Sequence, residues 1–243
     1  MEKVQQDHFP LNMKNFSYIG LFIILIVFGL LFIPKILDRL LNNTQVESNR
    51  SVPAKPLAYI KLNGEAKKVP EFLMFNQDSL LIGNEDFKGK VYLAEFFFTR
   101  CPTICPIMNK NMKILDDRFG NRQDFGIASF TIDPVNDTPH VLKQYAEEYG
   151  VKSQNWHFLT DKKNKVYELA NSGFSIFAGI NPAVAGGFEH QGYFVLIDKN
   201  GYIRSRVDRF ENPIVYYSGL DREDQELQGV DMLLDDIELL LKE

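Results

Sequence analysis

The sequence predicts an α/β sandwich with a mixed central sheet, preceded by one N-terminal transmembrane helix. Three observations lead there. Long apolar runs suited to strands buried on both faces alternate with segments of helical periodicity. A hairpin pattern and a last amphipathic helix close the chain. Near the start, the 20 residues from Asn15 to Pro34 carry no charge. Of the 243 residues, 45% are hydrophobic and 24% charged, a globular composition that excludes a disordered or fibrous protein. The net charge of −5 argues against nucleic acid as a partner. Much of that charge belongs to residues 221–243, where nine acidic residues face only Arg222 and Lys242, and this tail reads as a solvated helix face.

Residues 1–14 read as an N-terminal tail and 15–34 as the transmembrane helix, since about 20 apolar residues span the ~30 Å hydrocarbon core. A buried core helix would show a polar face, and a cleaved signal peptide would be followed by a small-residue site; neither is present. Lys3 and Lys14 before the helix balance Lys35 and Arg39 after it, so the count of positive charges does not orient it. Residues 35–58 read as a tether, polar and proline-bearing from 42 onward, and 59–243 as the globular domain.

The domain opens with short strands turning at Asn63-Gly64, then an apolar strand with a polar turn and a short return within 69–90. Residues 91–99 (VYLAEFFFT) and 125–132 (FGIASFTI) are continuous apolar runs, as in a sheet centre. Between them, Met108, Met112 and Leu115 mark a helix over 106–119. Thr138 or Asp137 is placed to cap a helix beginning at Pro139 and ended by Gly150. A short strand at 156–160, a helix over 161–172 and a hairpin over 193–207 turning at 198–201 follow. The apolar positions of 227–241 repeat at helical spacing.

Cys101 and Cys105, the only cysteines, are too few and too close for a disulfide framework. They lie where the first long buried strand gives way to the first long helix, the thioredoxin-like arrangement, and open α/β sheets react at the carboxyl ends of their strands. On a helix, positions i and i+4 share a face, at a spacing that suits either a disulfide or one shared soft metal ion. The helix N-terminus and Arg100 are expected to lower the thiol pKa, with Pro102 in the first turn. Three readings stand: inert buried thiols, a dithiol–disulfide couple, and a thiolate pair on a soft ion such as Cu(I). Thioredoxin oxidoreductases space their cysteines C-x-x-C, whereas this chain has C-x-x-x-C.

A pair of thiolates leaves room for a third ligand. His8 precedes the apolar helix, His140 falls in a helix's first turn and His157 sits beside Trp156 in a short strand. His190 directly precedes the strand YFVLI, where thioredoxin-fold proteins carry a proline facing their cysteines, and is the expected ligand.

FFFTRCPTICP (96–106), TIDPVNDTP (131–139) and FEHQGYFVLIDKNG (188–201), in this order, resemble the SCO/SenC family of copper-handling, thioredoxin-fold proteins of cytochrome c oxidase assembly. The resemblance implies copper, as Cu(I) or Cu(II), held by Cys101, Cys105 and His190, with Cys101 and Cys105 also forming a redox dithiol. It implies a single-pass protein of the inner (cytoplasmic) membrane with its domain on the extracytoplasmic side. Its partners would be oxidase subunit II or another copper protein, together with a thiol reductant. Copper delivery to the dinuclear centre, or upkeep of that centre's thiols, would be its role. A metal-independent thiol-disulfide oxidoreductase is the alternative. A peroxiredoxin fits less well, because Thr99 is two residues before Cys101 rather than three, and a purely structural membrane-tethered module is the third class. Thr103 and the flanks of His190 depart from the family's usual residues; Glu189 is expected to keep an acidic role beside the metal ligands. The loop 174–187 carries no assigned role.

Overall fold

The structure, a computed structural model, describes residues 14–41, 56–208, 210–221, 223 and 227–243, with the side chains of the first segment described from 20 to 34. Most of the expected tail (1–14) and tether (35–58), and His8, lie outside these residues. The chain divides into two compact units, 1–47 and 48–243.

The first unit holds helix α1 (Lys14–Leu41), 28 residues long with Pro34 inside it. The helix continues past the expected end at Pro34 because Pro removes a single backbone donor and the following KILDRLL is rich in good helix formers. Its large apolar side chains from Leu21 to Ile33 are exposed. Among the described residues no helix is long and apolar enough to cross a membrane.

The second unit begins with five short strands, β1 (Ala58–Tyr59), β2 (Lys61–Leu62), β3 (Glu65–Ala66), β4 (Leu73–Phe75) and β5 (Leu81–Gly83). Strand β1 starts at Ala58, the last residue read as tether. Asn63 (φ 54°) and Gly64 (φ 88°) form the expected turn, both left-handed as a two-residue hairpin turn requires. Then follow β6 (Val91–Phe97), α2 (Cys105–Phe119), β7 (Phe125–Thr131), α3 (Pro139–Glu148), β8 (Trp156–Leu159) and α4 (Lys163–Glu168). The chain ends with β9 (Ala178–Ile180), β10 (Phe188–His190), β11 (Tyr193–Ile197), β12 (Ile203–Ser205), β13 (Tyr217–Ser218) and α5 (Gly229–Lys242).

The main sheet runs β1-β12-β11-β6-β7-β8, with β13 added beside β11. Strands β6, β7 and β8 are parallel, and β11 joins β6 antiparallel, so the sheet is mixed as expected. Every residue of β6 and β7 is buried, which is why both read as unbroken apolar runs. Adjacent residues point to opposite faces. Phe97 therefore stacks on Tyr145 of α3, while Phe96 meets Phe174 across the sheet.

Four expectations change. Thr138 occupies the cap position of α3 but makes no capping hydrogen bond, and Asp137 bonds elsewhere, to Thr99 and Thr131. The helix expected over 161–172 is α4 followed by a π-helical turn, Leu169–Phe174, ended by Ser175 in the left-handed conformation (φ 58°). The loop 174–187 is largely one arm and turn of a separate hairpin, β9 paired with β10. The acidic tail is not wholly solvated: Asp236 is buried in α5, where both its carboxylate oxygens accept from the Arg206 guanidinium.

Candidate metal centre

Strand β6 delivers the chain at Phe97 to a tight segment, 98–104, that ends where α2 begins at Cys105. Pro102 disfavours the helical region for the residue before it, so Cys101 stays outside the helix. The two cysteines therefore do not share a helix face, and Pro106 rather than Pro102 lies in the first turn. Instead the segment folds back. The Cys101 amide donates to the Phe98 carbonyl at 3.2 Å, and the first amide of α2, that of Cys105, donates to Cys101 Sγ at 3.5 Å.

The third group arrives from the far side of the sequence. Strand β10 alternates, so that Glu189 is exposed and His190 is buried. His190 Nε2 lies 3.3 Å from Cys105 Sγ, and its Nδ1 faces the Gln191 carbonyl at 3.3 Å. With Nδ1 against that carbonyl, Nε2 is the ring nitrogen turned toward the sulfurs. The ligand atoms of Cys101, Cys105 and His190 all lie within 4.8 Å of one another, and all three residues are buried. Glu189 takes no part: its carboxylate accepts from Asn181 Nδ2 at 3.0 Å across the hairpin. Thr103 Oγ1 lies 3.7 Å from Cys101 Sγ.

Packing holds the hairpin over the cysteine segment. The Phe98 ring meets both the Phe188 and the His190 rings. Gly186 (φ 87°) passes so close that a Cβ there would stand 2.9 Å from the Phe98 ring and 3.1 Å from Pro102.

The two thiols are unequal. The hydrogen bond from Cys105 lowers the Cys101 pKa to about 3, against its partial burial and helped by His190 and the amides of Cys105 and Thr103. Cys105 is pushed up because it donates to Cys101, is buried and faces that negative charge. The site thus sets a more acidic sulfur beside a less acidic one, a nucleophile beside its resolving partner or a pair of soft donors. The expected help from the helix N-terminus is present as the Cys105 amide. Arg100 gives none: its Nη2 pairs with Asp133 at 2.9 Å.

The other described histidines lie elsewhere. His140 is exposed on α3. His157 Nδ1 contacts Asn76 Nδ2 at 3.3 Å, and burial, then Lys90, depress its pKa.

Two buried carboxylates near the cysteines are absent from the expected site residues, Asp137 being expected only as an alternative helix cap. Glu95, in β6, accepts from the Ser129 hydroxyl at 2.7 Å, and Ser129 in turn accepts from Trp156 Nε1 at 2.9 Å. Burial raises its pKa to about 7, against the Ser129 hydrogen bond, and its charge acts on Cys105. The signal was available, as a lone acid within the apolar run VYLAEFFFT. Asp137, fully buried, accepts from the Thr99 amide at 3.0 Å and from the hydroxyls of Thr99 and Thr131.

Comparison with known proteins gives a consistent result. The family model described as SCO1/SenC matches residues 61–223. The SCO1 protein homolog of Bacillus subtilis is 35% identical over 147 residues, covering 60% of this chain and 76% of the relative. A SCO2-like protein of Rickettsia typhi is 31% identical, covering 63% and 78%. Among solved structures, a SCO1/SenC family lipoprotein from Bacillus anthracis superposes with a TM-score of 0.61 at 28% identity, covering 72% of this chain and 95% of that one. BsSco, described with a disulfide switch and as a member of the Sco family of cytochrome c oxidase assembly proteins, gives 0.58 at 30%, covering 72% and 94%.

Proposed function

Since the chain belongs to the SCO1/SenC family, we propose that it is a membrane-anchored copper chaperone that loads the dinuclear copper centre of cytochrome c oxidase subunit II. The observation that carries this reading is the convergence of Cys101, Cys105 and His190 on one buried point. Two sulfurs suit Cu(I), and the imidazole extends the same site to Cu(II). The cysteines would hold the copper cargo as thiolates, so Cys105 sheds its proton as the ion arrives. The exposed neighbours of the segment, Pro102 and Thr103, leave one side open to an acceptor's ligands. Copper titration of the reduced chain should saturate near one equivalent. Equal uptake by a Cys101→Ser/Cys105→Ser double variant would sink the reading.

A second reading, a metal-independent thiol-disulfide oxidoreductase with a separate thiol reductant as partner, is favoured by the unequal thiols. A lowered Cys101 against a raised Cys105 is the asymmetry that an attacking and a resolving cysteine need. The disulfide switch described for BsSco supports keeping it.

Anchoring belongs to the same proposal. We read 15–34, of which side chains are described only from 20 onward, as the membrane helix, 1–14 as a cytoplasmic tail, 35–58 as tether and 59–243 as the extracytoplasmic domain. The exposed apolar row of α1 supports this, since such a surface calls for a nonpolar cover. An extracytoplasmic site also suits a dithiol that cycles. Alkaline phosphatase fused after residue 50 should be active and a cytoplasm-only fluorescent protein dark; the reverse pattern overturns the topology.

A further inference from the structure

The segment TIDPVNDTP (131–139) supplies none of the three converging ligand atoms, yet it contains the most heavily bonded carboxylates near the site. The parallel strands β6 and β7 end side by side, with Phe97 opposite Thr131. Beyond that point the pairing continues through the Ile132 amide, which donates to the Phe97 carbonyl at 2.8 Å. Asp137 then takes over. Its carboxylate accepts from the Thr99 amide, the Thr99 hydroxyl and the Thr131 hydroxyl. Thr131 Oγ1 accepts in turn from the Asp133 amide at 3.0 Å. Asp133 holds the neighbouring residue, accepting from Arg100 Nη2 at 2.9 Å and from Asn136 Nδ2 at 2.8 and 2.9 Å. Asp137 and Asp133 are buried, at 0% and 2% exposure. Arg100 is largely exposed, so its ion pair contributes less than the Asp137 bonds.

Thr99 is thus pinned at both its amide and its hydroxyl, and Cys101 follows two residues later. No regular element fixes Cys101 itself, which lies between the end of β6 and the start of α2. We propose that Asp137 is a positioning residue: by fixing Thr99 it sets the Cys101 sulfur at the separation from Cys105 and His190 that a shared metal ion needs. Both cysteines are free thiols in this arrangement. Forming their disulfide requires the sulfurs to close to ~2.05 Å. The clamp therefore favours the open dithiol, and loosening it favours the disulfide.

The metal part of this inference rests on the copper reading; the disulfide part does not. The test uses the full chain in detergent and three variants, Asp137→Asn, Thr99→Val and Thr99→Ser. One measurement is competition for Cu(I) against a chromophoric chelator. The other is equilibration with glutathione, in which the dithiol and glutathione disulfide exchange to the protein disulfide and two glutathione thiols. Asp137→Asn and Thr99→Val should each weaken Cu(I) binding about tenfold, the lower end of what loss of a ligand-orienting partner costs. Both should also move the glutathione equilibrium toward the disulfide. Thr99→Ser, which keeps both donors, should match the parent. If folded Asp137→Asn and Thr99→Val match the parent in both measurements and merely melt earlier, the residue is structural and the proposal fails. Should Asp137→Asn not fold, Thr99→Val decides. If the parent itself takes up no copper, the copper reading falls, and the glutathione equilibrium alone decides the clamp.

Discussion

Glu95 carries an ionisable group into the centre of a sheet, and its pH behaviour follows from that placement. Its folded pKa is raised by burial from 4.5 to about 7. Between these values the folded chain keeps a proton that the unfolded chain releases. Stability contributed by this group is therefore complete at low pH and falls as pH rises through the window, by about 3 kcal/mol at ~1.36 kcal/mol per unit. Urea unfolding midpoints measured from pH 4.5 to 7.5 should decline more steeply for the parent than for Glu95→Gln; parallel slopes would refute the assignment. His190 offers a second test at this scale. His190→Ala should weaken Cu(II) binding by more than about a hundredfold, the upper range for loss of a mere ligand-orienting partner, while the titre of reactive thiols stays at two per chain. If Cu(II) binding survives and thiol reactivity is lost, the oxidoreductase reading gains. Sequence position alone exposed His190, because it stands where the strand YFVLI is about to begin. In sequence Asp137 reads only as an alternative to Thr138 for the helix cap, because its true partners, Thr99 and Thr131, belong to strand ends that only the fold brings together.

The β9–β10 hairpin is the element that carries His190 to the cysteines, and its turn has little tolerance. Gly186 and Gly187 both have positive φ, 87° and 81°, but only Gly186 packs against Phe98 and Pro102. Alanine at either should cost about 1–2 kcal/mol for the left-handed backbone. Alanine at Gly186 should also push the hairpin off the cysteine segment and weaken Cu(I) binding, which Gly187→Ala should spare. Thermal melts and Cu(I) competition on the two variants separate these effects, and equal copper affinities would remove the packing argument. This hairpin was not legible beforehand. Its strands are three residues each, and FSIFAGINPAVAGGF shows neither alternation nor helical period. The long elements were legible for the opposite reason: burial on both faces leaves β6 and β7 uniformly apolar, and a one-sided stripe marks α5.

Across the whole domain, two buried arginines tie the terminal elements to the sheet. Arg206 binds both oxygens of Asp236 at 2.8 Å, and the Tyr217 hydroxyl donates to the same carboxylate at 2.6 Å. Asp236→Ala leaves a buried cation short of its main partner and should cost about 3–5 kcal/mol. A loss under 1 kcal/mol in urea unfolding would show that the edge strands hold without it. Arg204 likewise joins the Leu57 carbonyl, Asp198 and Glu243. The sequence hid these ties, since an acid in a charged helix and an arginine in a hairpin look solvated until their faces are known. The spacing of the three converging ligand groups has a further consequence. Cys101 and Cys105 are 4 residues apart, whereas Cys105 and His190 are 85 apart. An ion bridging all three would act as a removable cross-link closing a loop that holds α2, β7, α3, β8, α4 and β9. A permanent link over a loop of that length restricts the denatured chain by about 4.6 kcal/mol in the chain-entropy model, and a disulfide across four residues restricts it far less. Loaded and oxidised forms of one dithiol would thus part company in how slowly a protease cuts them, long before any acceptor is met.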